Sequence, residues 1–365
     1  MTSRQIRKAQ LIHSQKINRS NNQTKERKHM KYSDIKESIV AQFTNPKTPS
    51  NKMPAFLLLG KPGGGKSDLA RDIGRELKYD NVVEFNASLR DPVDLLGTPS
   101  NSGETTRWKK PDDLAKLETG RNLLIIEELT DCSLQMQNAC CGLIYDKRVG
   151  ELHLSSQTDI IASGNRTEDK SGAFRLSTKL GNRMRIMDFD VSLDDWCEWA
   201  IDNLPEETGY KMVAFLRFKP DLLDAFDPNA RISPTPRSWT RASHIPTSLR
   251  SDLYFANVAG DVGEGAAAPF TAFCKLFDEL PDPDEIMMHP SKAEVPTKMD
   301  VLYALTGALA HRINKDNFDR AIEFINRMPP EFNVMCVSDA MKLKPEIKQT
   351  KAYVSWAVKN ASVII

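Results

Sequence analysis

Residues 60–67 read GKPGGGKS and directly follow an apolar run, AFLLL, at residues 55–59. The octet fits the pattern Gly-x-x-x-x-Gly-Lys-Ser/Thr, which is typical of phosphate-binding loops between a buried strand and a helix. AFLLL has the length and composition of a buried strand, and residues 67–78 place apolar side chains on one helical face. A flexible glycine turn without a ligand is the alternative. Because glycines let backbone N–H groups turn toward an anion, the sequence predicts a nucleotide site.

The same stretch supplies the side chains that such a site needs. Lys66 is expected to reach the β- and γ-phosphates, and the Ser67 hydroxyl is expected to bind Mg²⁺. ATP and Mg²⁺ are therefore the predicted cofactors. The predicted cofactor-binding residues are Gly60, Pro62, Gly63, Gly64, Gly65, Lys66 and Ser67.

Composition limits the possible classes of function. The chain has 365 residues and a formal net charge of +1, so no overall field favours nucleic acid or an anionic membrane. The six cysteines form no Cys-x-x-Cys pair and have no histidines at zinc-finger spacing, which indicates reduced thiols and no metal beyond Mg²⁺. The N-terminus is polar and basic, and no run approaches the length of a membrane span. We therefore expect a cytoplasmic protein without a membrane partner.

Four regions follow one another along the chain. Residues 1–31 contain nine Lys or Arg and one acid, which predicts a mobile basic tail, either simply solvated or touching nucleic acid. Residues 32–54 are predicted to form a short helix, starting at a capping-box-like pair of Asp34 and Glu37, and a linker. Residues 55–191 are the predicted α/β core, and residues 192–365 are a predicted helical region.

The fold class follows from the alternation of strand-like and helical segments in the core. A five-stranded parallel sheet wrapped by helices is the expected architecture. The strand-like runs are AFLLL (55–59), VVEFN (82–86), LLIIEE (123–128), DIIASGN (159–165) and RIMDFDV (185–191). After residue 191 the sequence predicts helices broken by proline-rich joints, including one helix over residues 211–226.

Polar side chains lie at the C-terminal ends of two of the predicted strands. Glu127 and Glu128 end LLIIEE, and we expect Glu127 to face the metal and Glu128 to act as the catalytic base. Asn165 ends DIIASGN, where its amide could orient the attacking water. The alternatives are a solvated strand end for the acids and an ordinary turn for the asparagine.

These motifs, in this order, resemble the AAA+ ATPase superfamily and, within it, the MoxR-like ATPases of phages and prophages. The resemblance runs from about residue 53 into the C-terminal region. It rests on SLRDPVDLLGTP, LIIEEL, LIYDKRVGEL, ASGNRTED, KLGNRM and PTPRSW. What it implies is an AAA+ P-loop core, an α-helical lid and assembly into a ring, usually a hexamer.

The resemblance also implies roles for individual residues. Arg183, in GNRM, matches the arginine finger that reaches a neighbouring subunit's site, and Arg237, in PTPRSW, matches the lid arginine that contacts γ-phosphate in its own chain. Without the resemblance, each would be interpreted as a surface residue. Asn86 is a candidate to hold Glu128 inactive until a partner binds. One position departs from the family pattern, since Glu127 stands where an aspartate is usual.

Three functions remain open at this point. The resemblance favours a chaperone-like motor that remodels a protein partner, often a von Willebrand A-domain protein, in the host cytoplasm if the chain is phage-encoded. Residues 88–121 and 147–154 match insertions that face the ring pore, and Trp108, Lys109 and Lys110 are candidate substrate contacts, although Trp108 would equally suit ordinary packing. The basic tail favours a nucleic-acid motor or loader, and the Glu127 departure favours a regulatory ATP-binding scaffold with little turnover.

Overall fold

The computed structural model describes residues 30–46, 54–102, 105–169 and 174–361. The predicted basic tail lies almost wholly outside the described residues, as does most of the predicted linker before residue 54.

A five-stranded parallel sheet forms the centre of the molecule. Its strands are β1 (Ala55–Leu59), β2 (Asn81–Asn86), β5 (Asn122–Glu127), β8 (Thr158–Gly164) and β9 (Met184–Asp188). Their spatial order is β2-β5-β8-β1-β9, and every neighbouring pair is parallel. The predicted fold class is confirmed, and each strand end differs from the prediction by no more than a few residues. β1 is continuously apolar because each face of the sheet packs against its own layer of side chains, with Leu57 in one layer and Phe56 in the other, whereas the edge strands β2 and β9 also have exposed residues.

Helices cover both faces of the sheet. They are α1 (Tyr32–Phe43), α2 (Lys66–Leu77), α3 (Pro92–Leu96), α4 (Asp112–Ala115), α5 (Leu134–Cys141) and α6 (Thr178–Gly181). α1 begins two residues before the predicted cap, so Asp34 lies in its first turn and does not cap it. The reason is a backbone contact: Met30 N donates to Asp188 O and Met30 O accepts from Asp190 N, which fixes the chain just before the helix.

Two antiparallel hairpins project from the core. β3 (Thr98–Ser102) pairs with β4 (Thr105–Lys109), and β6 (Arg148–Val149) pairs with β7 (Leu152–His153) within the predicted 147–154 insertion. Gly97 enters the first hairpin at φ +85°, and a Cβ there would lie 1.9 Å from Lys109 O. Glycine is therefore required at that point, because any side chain would collide with the opposite strand.

The C-terminal half is helical. Its helices are α7 (Leu193–Asn203), α8 (Glu206–Phe218), α9 (Pro236–Ala242), α10 (Ser251–Val262), α11 (Glu264–Glu279), α12 (Pro283–Met288), α13 (Met299–Arg312), α14 (Phe318–Ile325), α15 (Pro330–Leu343) and α16 (Lys351–Asn360). One core surrounds Trp239 and a second surrounds Phe318. The predicted helix over 211–226 is wrong: α8 ends at Phe218, because Pro220 lacks an N–H and restricts Lys219.

Within the described residues, no helix has both the length and the apolar composition that a bilayer span requires.

Candidate nucleotide site

The loop between β1 and α2 has the backbone shape of an anion cradle. Gly63 and Gly65 adopt φ +74° and +102°, which side-chain-bearing residues rarely do. Gly60 packs so closely that a Cβ would lie 2.5 Å from Phe189 O, and Pro62 is half-buried in the same loop. At Gly65 a Cβ would meet nothing within 4 Å. The glycines therefore border open space at the N-terminus of α2, where N–H groups and the helix dipole attract anions.

The side chain of Lys66 folds back against this loop. Its side chain is buried, and Nζ donates to Gly60 O at 2.6 Å, to Lys61 O at 2.7 Å and to Asn165 Oδ1 at 3.1 Å. Burial, followed by the nearby charge of Arg237, lowers the pKa of Lys66 to about 8. The ammonium is thus held among neutral carbonyl and amide oxygens, which leaves it available to an anionic partner.

Asn165 connects this lysine to an acid that the sequence analysis missed. Its Nδ2 donates to Asp131 Oδ2 at 2.9 Å, and its backbone exchanges hydrogen bonds with the Thr130 hydroxyl at 2.7 and 3.0 Å. The amide oxygen therefore faces Lys66. Among the described residues, Asp131 Oδ1 is buried and has no hydrogen-bond partner, and burial together with the charge of Glu128 raises the pKa of Asp131. The only sequence signal was an acid three residues after Glu128.

Glu128 lies just beyond β5 in a left-handed conformation, with φ +54°. Such a backbone costs energy for a residue with a side chain, and such residues cluster at functional sites. Its Oε2 lies 2.5 Å from the Ser88 hydroxyl, which is also 2.8 Å from Asn86 Oδ1. The predicted influence of Asn86 on Glu128 would therefore pass through Ser88, a residue that the sequence analysis missed.

Glu127 ends β5 and forms an ion pair with Arg71 of α2, with Nη2 3.2 Å from Oε1. Ser67 lies one turn before Arg71, and residues four apart share a helix face. Glu127 and Ser67 are the residues predicted to face the metal. Glu127 thus pairs with a residue on the same face of α2 as Ser67.

The helical region touches the phosphate loop directly. Arg237 N, in the first turn of α9, donates to Gly63 O at 3.2 Å, and a Cβ on Gly63 would lie 2.9 Å from Thr235 Oγ1. A second contact joins Lys61 Nζ to Asp224 Oδ2 at 3.1 Å. The exposed side chain of Arg237 consequently stands over the loop of its own chain.

A cavity of about 550 Å³ opens between the loop, α1, α7 and α9. This volume is in the range of ordinary small-molecule sites. Gly63, Gly64, Gly65 and Arg237 line its polar side, while its aromatic and apolar lining comes from Tyr32, Phe189, Val191, Trp196, Trp199 and Pro236. One cavity thus combines an anion cradle with aromatic surface.

Arg183 lies elsewhere. It follows α6, its guanidinium carbon is 4.9 Å from the centre of the Tyr145 ring, and it lines a separate surface cavity of about 410 Å³. The structure therefore brings Lys66, Asn165 and Arg237 to one loop and leaves Arg183 outside the cavity that Arg237 lines.

The donor set near α2 fits Mg²⁺. Hydroxyl and carboxylate oxygens, as on Ser67 and Glu127, are the hard ligands that this ion prefers, and nucleotide-bound Mg²⁺ keeps several waters and takes few protein ligands. Consistent with that, no group of three or more His, Cys, Asp or Glu with metal-site geometry occurs among the described residues.

Comparison with known proteins agrees with this geometry. Residues 55–184 match the family model of the AAA domain, dynein-related subfamily. These residues are an AAA+ ATPase domain. The AAA+ segment contains the phosphate loop, both acids after β5, Asn165 and Arg183, and it ends before Arg237. No curated protein matches the chain.

Similar solved structures include those of RuvB and NtrX. The RuvB Holliday junction branch migration motor of Thermotoga maritima is 17% identical, with 76% of this chain and 81% of that chain covered and a TM-score of 0.38. A RuvB variant from the same organism is 16% identical, with 81% and 87% covered and a TM-score of 0.39. NtrX from Brucella abortus in complex with ADP is 15% identical, with 92% and 68% covered and a TM-score of 0.38.

Proposed function

We propose that this chain is a MoxR-like AAA+ ATPase that hydrolyses ATP and uses the energy to remodel a protein partner. The observation that carries the proposal is the meeting of Lys66, Asn165 and Arg237 at one glycine loop, with Glu128 just beyond β5, which neighbours the strand β8 that Asn165 follows. These are the charged and polar groups that phosphoryl transfer to water needs.

Each group has a definite task in this proposal. The loop N–H groups and Lys66 bind the phosphates, and Lys66 exchanges its carbonyl partners for phosphate oxygens. Glu128 accepts the proton of the attacking water once it no longer accepts from Ser88, and Asn165 orients that water. Ser67 and Glu127 would hold Mg²⁺, which when bound neutralises charge on the phosphates. The aromatic side of the cavity accommodates the nucleotide base.

Assembly completes the site in this proposal. Arg183 lies outside its own chain's cavity, which supports the role of a finger that reaches a neighbour's γ-phosphate. We therefore propose a homo-oligomeric ring, hexameric as in the MoxR-like family. All six cysteines are free thiols, which supports a reducing cytoplasmic location.

The partner is proposed on the family resemblance and on the β3–β4 hairpin. Trp108 of this hairpin is half-buried, Lys109 is exposed, and Lys110 pairs with Glu118 at 2.5 Å. A protein substrate or a von Willebrand A-domain adaptor is the partner that the resemblance favours. Co-purification with a hydrolysis-deficient variant that keeps ATP bound would identify it.

A nucleic-acid motor is the second candidate. Arg107 and Lys109 are both exposed and, two residues apart on β4, share one face of the hairpin. DNA- or RNA-stimulated ATPase activity that falls steeply with added salt would favour this candidate.

The decisive experiment replaces the predicted base. Glu128→Gln should bind ATP normally and hydrolyse it roughly 10²–10⁴-fold more slowly, because an amide cannot accept the proton. Glu118→Gln, which alters a carboxylate paired with Lys110 instead, is the matched control and should keep normal turnover. If Glu127→Gln alone abolished turnover while Glu128→Gln retained it, the two roles would be reversed. A wild-type chain that binds ATP without hydrolysing it would instead be a regulatory scaffold.

A further inference from the structure

The guanidinium of Arg71 lies between carboxylates of two neighbouring strands, Glu84 within β2 and Glu127 at the end of β5. Arg71 donates from Nε to Glu84 Oε2 at 2.9 Å and from Nη2 to Glu84 Oε1 at 2.5 Å. The same Nη2 also donates to Glu127 Oε1 at 3.2 Å, and Nη1 donates to Asp68 at 3.1 Å. Arg71 thus makes its two-pronged contact with Glu84 and a single, longer contact with Glu127.

The strand register explains why these side chains meet. β2 and β5 are parallel neighbours in which Glu84 pairs with Ile125 and Asn86 pairs with Glu127. Residues two apart on a strand point to the same face, so Glu84 and Glu127 both face α2. Because three carboxylates surround one guanidinium, the cluster keeps an excess of negative charge.

The hydrogen bonds that Arg71 donates to Glu84 raise the pKa of Arg71 above its usual range, and they lower the pKa of Glu84. Arg71 is therefore a permanent positive charge beside Glu127.

Arg71 also lies close to the hydroxyl assigned to the metal. Ser67 is four residues earlier on α2, on the same helix face and about 6 Å away along the axis. Glu127, which pairs with Arg71, would therefore also serve as a carboxylate for the nucleotide's Mg²⁺.

We propose that Arg71 competes with Mg²⁺ for Glu127, and that Glu84 limits this competition by holding the guanidinium. The inference rests on the proposed ATPase function and deepens it: the Arg71–Glu84 pair sets the Mg²⁺ concentration at which nucleotide binds. Arg71 is a positioning residue in this scheme, because it acts through Glu127.

If Arg71 competes with Mg²⁺ for Glu127, substitutions of Arg71 and Glu84 should change the Mg²⁺ requirement in opposite directions. Arg71→Gln removes a positive charge beside the metal's carboxylate, so less Mg²⁺ is needed. Glu84→Gln leaves the guanidinium to Glu127 and Asp68, so more Mg²⁺ is needed. A role in packing alone would weaken metal-dependent binding in both variants.

The test measures nucleotide binding and requires no turnover. The full chain is titrated with Mg²⁺ in the presence of a fluorescent ATP analogue, and the half-saturating Mg²⁺ concentration is read from the fluorescence. For a partly exposed charge, we expect a decrease of about fivefold for Arg71→Gln and an increase of about threefold for Glu84→Gln. Arg71→Lys keeps the charge and should stay within about twofold of wild type.

Lys36→Gln is the matched control. Lys36, on α1, pairs with Glu76 of α2 at 2.9 Å, and Glu76 lies about 14 Å from Ser67 along the α2 axis, beyond the Debye length at physiological salt. It should leave the Mg²⁺ dependence unchanged. An unchanged or increased Mg²⁺ requirement in Arg71→Gln would overturn the inference while leaving the ATPase proposal intact. A wild-type chain that binds no nucleotide at any Mg²⁺ concentration would overturn both.

Discussion

Arg237 and Arg183 are both assigned to a γ-phosphate by the family resemblance, yet their surroundings differ. The backbone N–H of Arg237 donates to Gly63 O, and its exposed side chain lines the cavity beside the loop. After burial, the positive charge of Arg237 is the next cause of the lowered pKa of Lys66. Arg183 instead rests over the ring of Tyr145 on another part of the surface, with Tyr145 itself 63% exposed.

In the proposed ring, this difference separates what one chain completes from what a neighbour supplies. Within a single chain, Lys66, Asn165 and Arg237 already lie at the phosphate loop. Arg183 and an exposed aromatic ring form instead a surface with the composition of a protein interface, where Tyr and Arg are enriched. The predictions below test this division.

Removing the loop lysine should strongly weaken ATP binding, which depends on residues of a single chain. Lys66→Ala should lower ATP affinity by roughly 10²–10³-fold, because a buried charged donor to phosphate is lost. Isothermal titration calorimetry measures this directly. Lys116→Ala, an exposed lysine near the opposite end of the sheet, should bind normally. Near-normal affinity in Lys66→Ala would remove the basis of the nucleotide site.

Removing Arg183 should leave binding intact and stop the chemistry. Arg183→Ala is expected to bind ATP like wild type and to hydrolyse it on the order of 10³-fold more slowly, since a finger stabilises charge only in the transition state. Steady-state phosphate release and equilibrium binding, measured on the same preparation, separate the two effects.

Mixing two inactive variants decides whether Arg183 acts on a neighbour. Lys66→Ala retains its arginine and Arg183→Ala retains its pocket, so mixed rings should regain partial ATPase activity where the two intact parts meet. Mixed rings that form but stay inactive at every ratio would show that Arg183 serves its own subunit or only packs the interface.

The sequence predicted the parts of this molecule that local patterns encode. Apolar runs located all five strands, and the glycine motif located the loop, because both depend on neighbouring residues in the chain. Ser88 and Asp131 were missed because their contacts with Glu128 and Asn165 depend on chain paths and strand order that no local pattern encodes. The start of α1 was misplaced for the same reason, since Met30 is held by the end of a distant strand.

A third prediction concerns Arg237, whose loss should have a smaller effect than that of Lys66 or Arg183. Arg237→Ala removes the charge but keeps the backbone N–H that contacts Gly63 O, so the lid should stay on the loop. We expect ATP turnover to fall roughly 10–100-fold, the size of one or two charge-assisted hydrogen bonds. Unchanged single-turnover rates would show that Arg237 does not contact the phosphate.

The smallest effect is a pH dependence that links Arg237 to Lys66. With its pKa lowered to about 8, Lys66 is charged below that pH and neutral above it in the free protein. Bound phosphate favours the charged form, so ATP binding above pH 8 must take up a proton. Affinity should therefore be constant from pH 7 to 8 and then fall by up to about tenfold per pH unit.

The Arg237→Ala variant tests whether the pH dependence of ATP binding distinguishes Arg237 from Arg183. After burial, the charge of Arg237 is the next largest cause of the lowered pKa of Lys66, so its removal should move the break in the affinity profile to higher pH. Arg183→Ala, whose arginine lies outside this cavity, should leave the break where it is. Fluorescent-nucleotide titrations between pH 7 and 10 at constant ionic strength would measure both. A flat profile would contradict the lowered pKa itself, whereas an equal shift in the two variants would mean that both arginines act on the phosphate loop of their own chain.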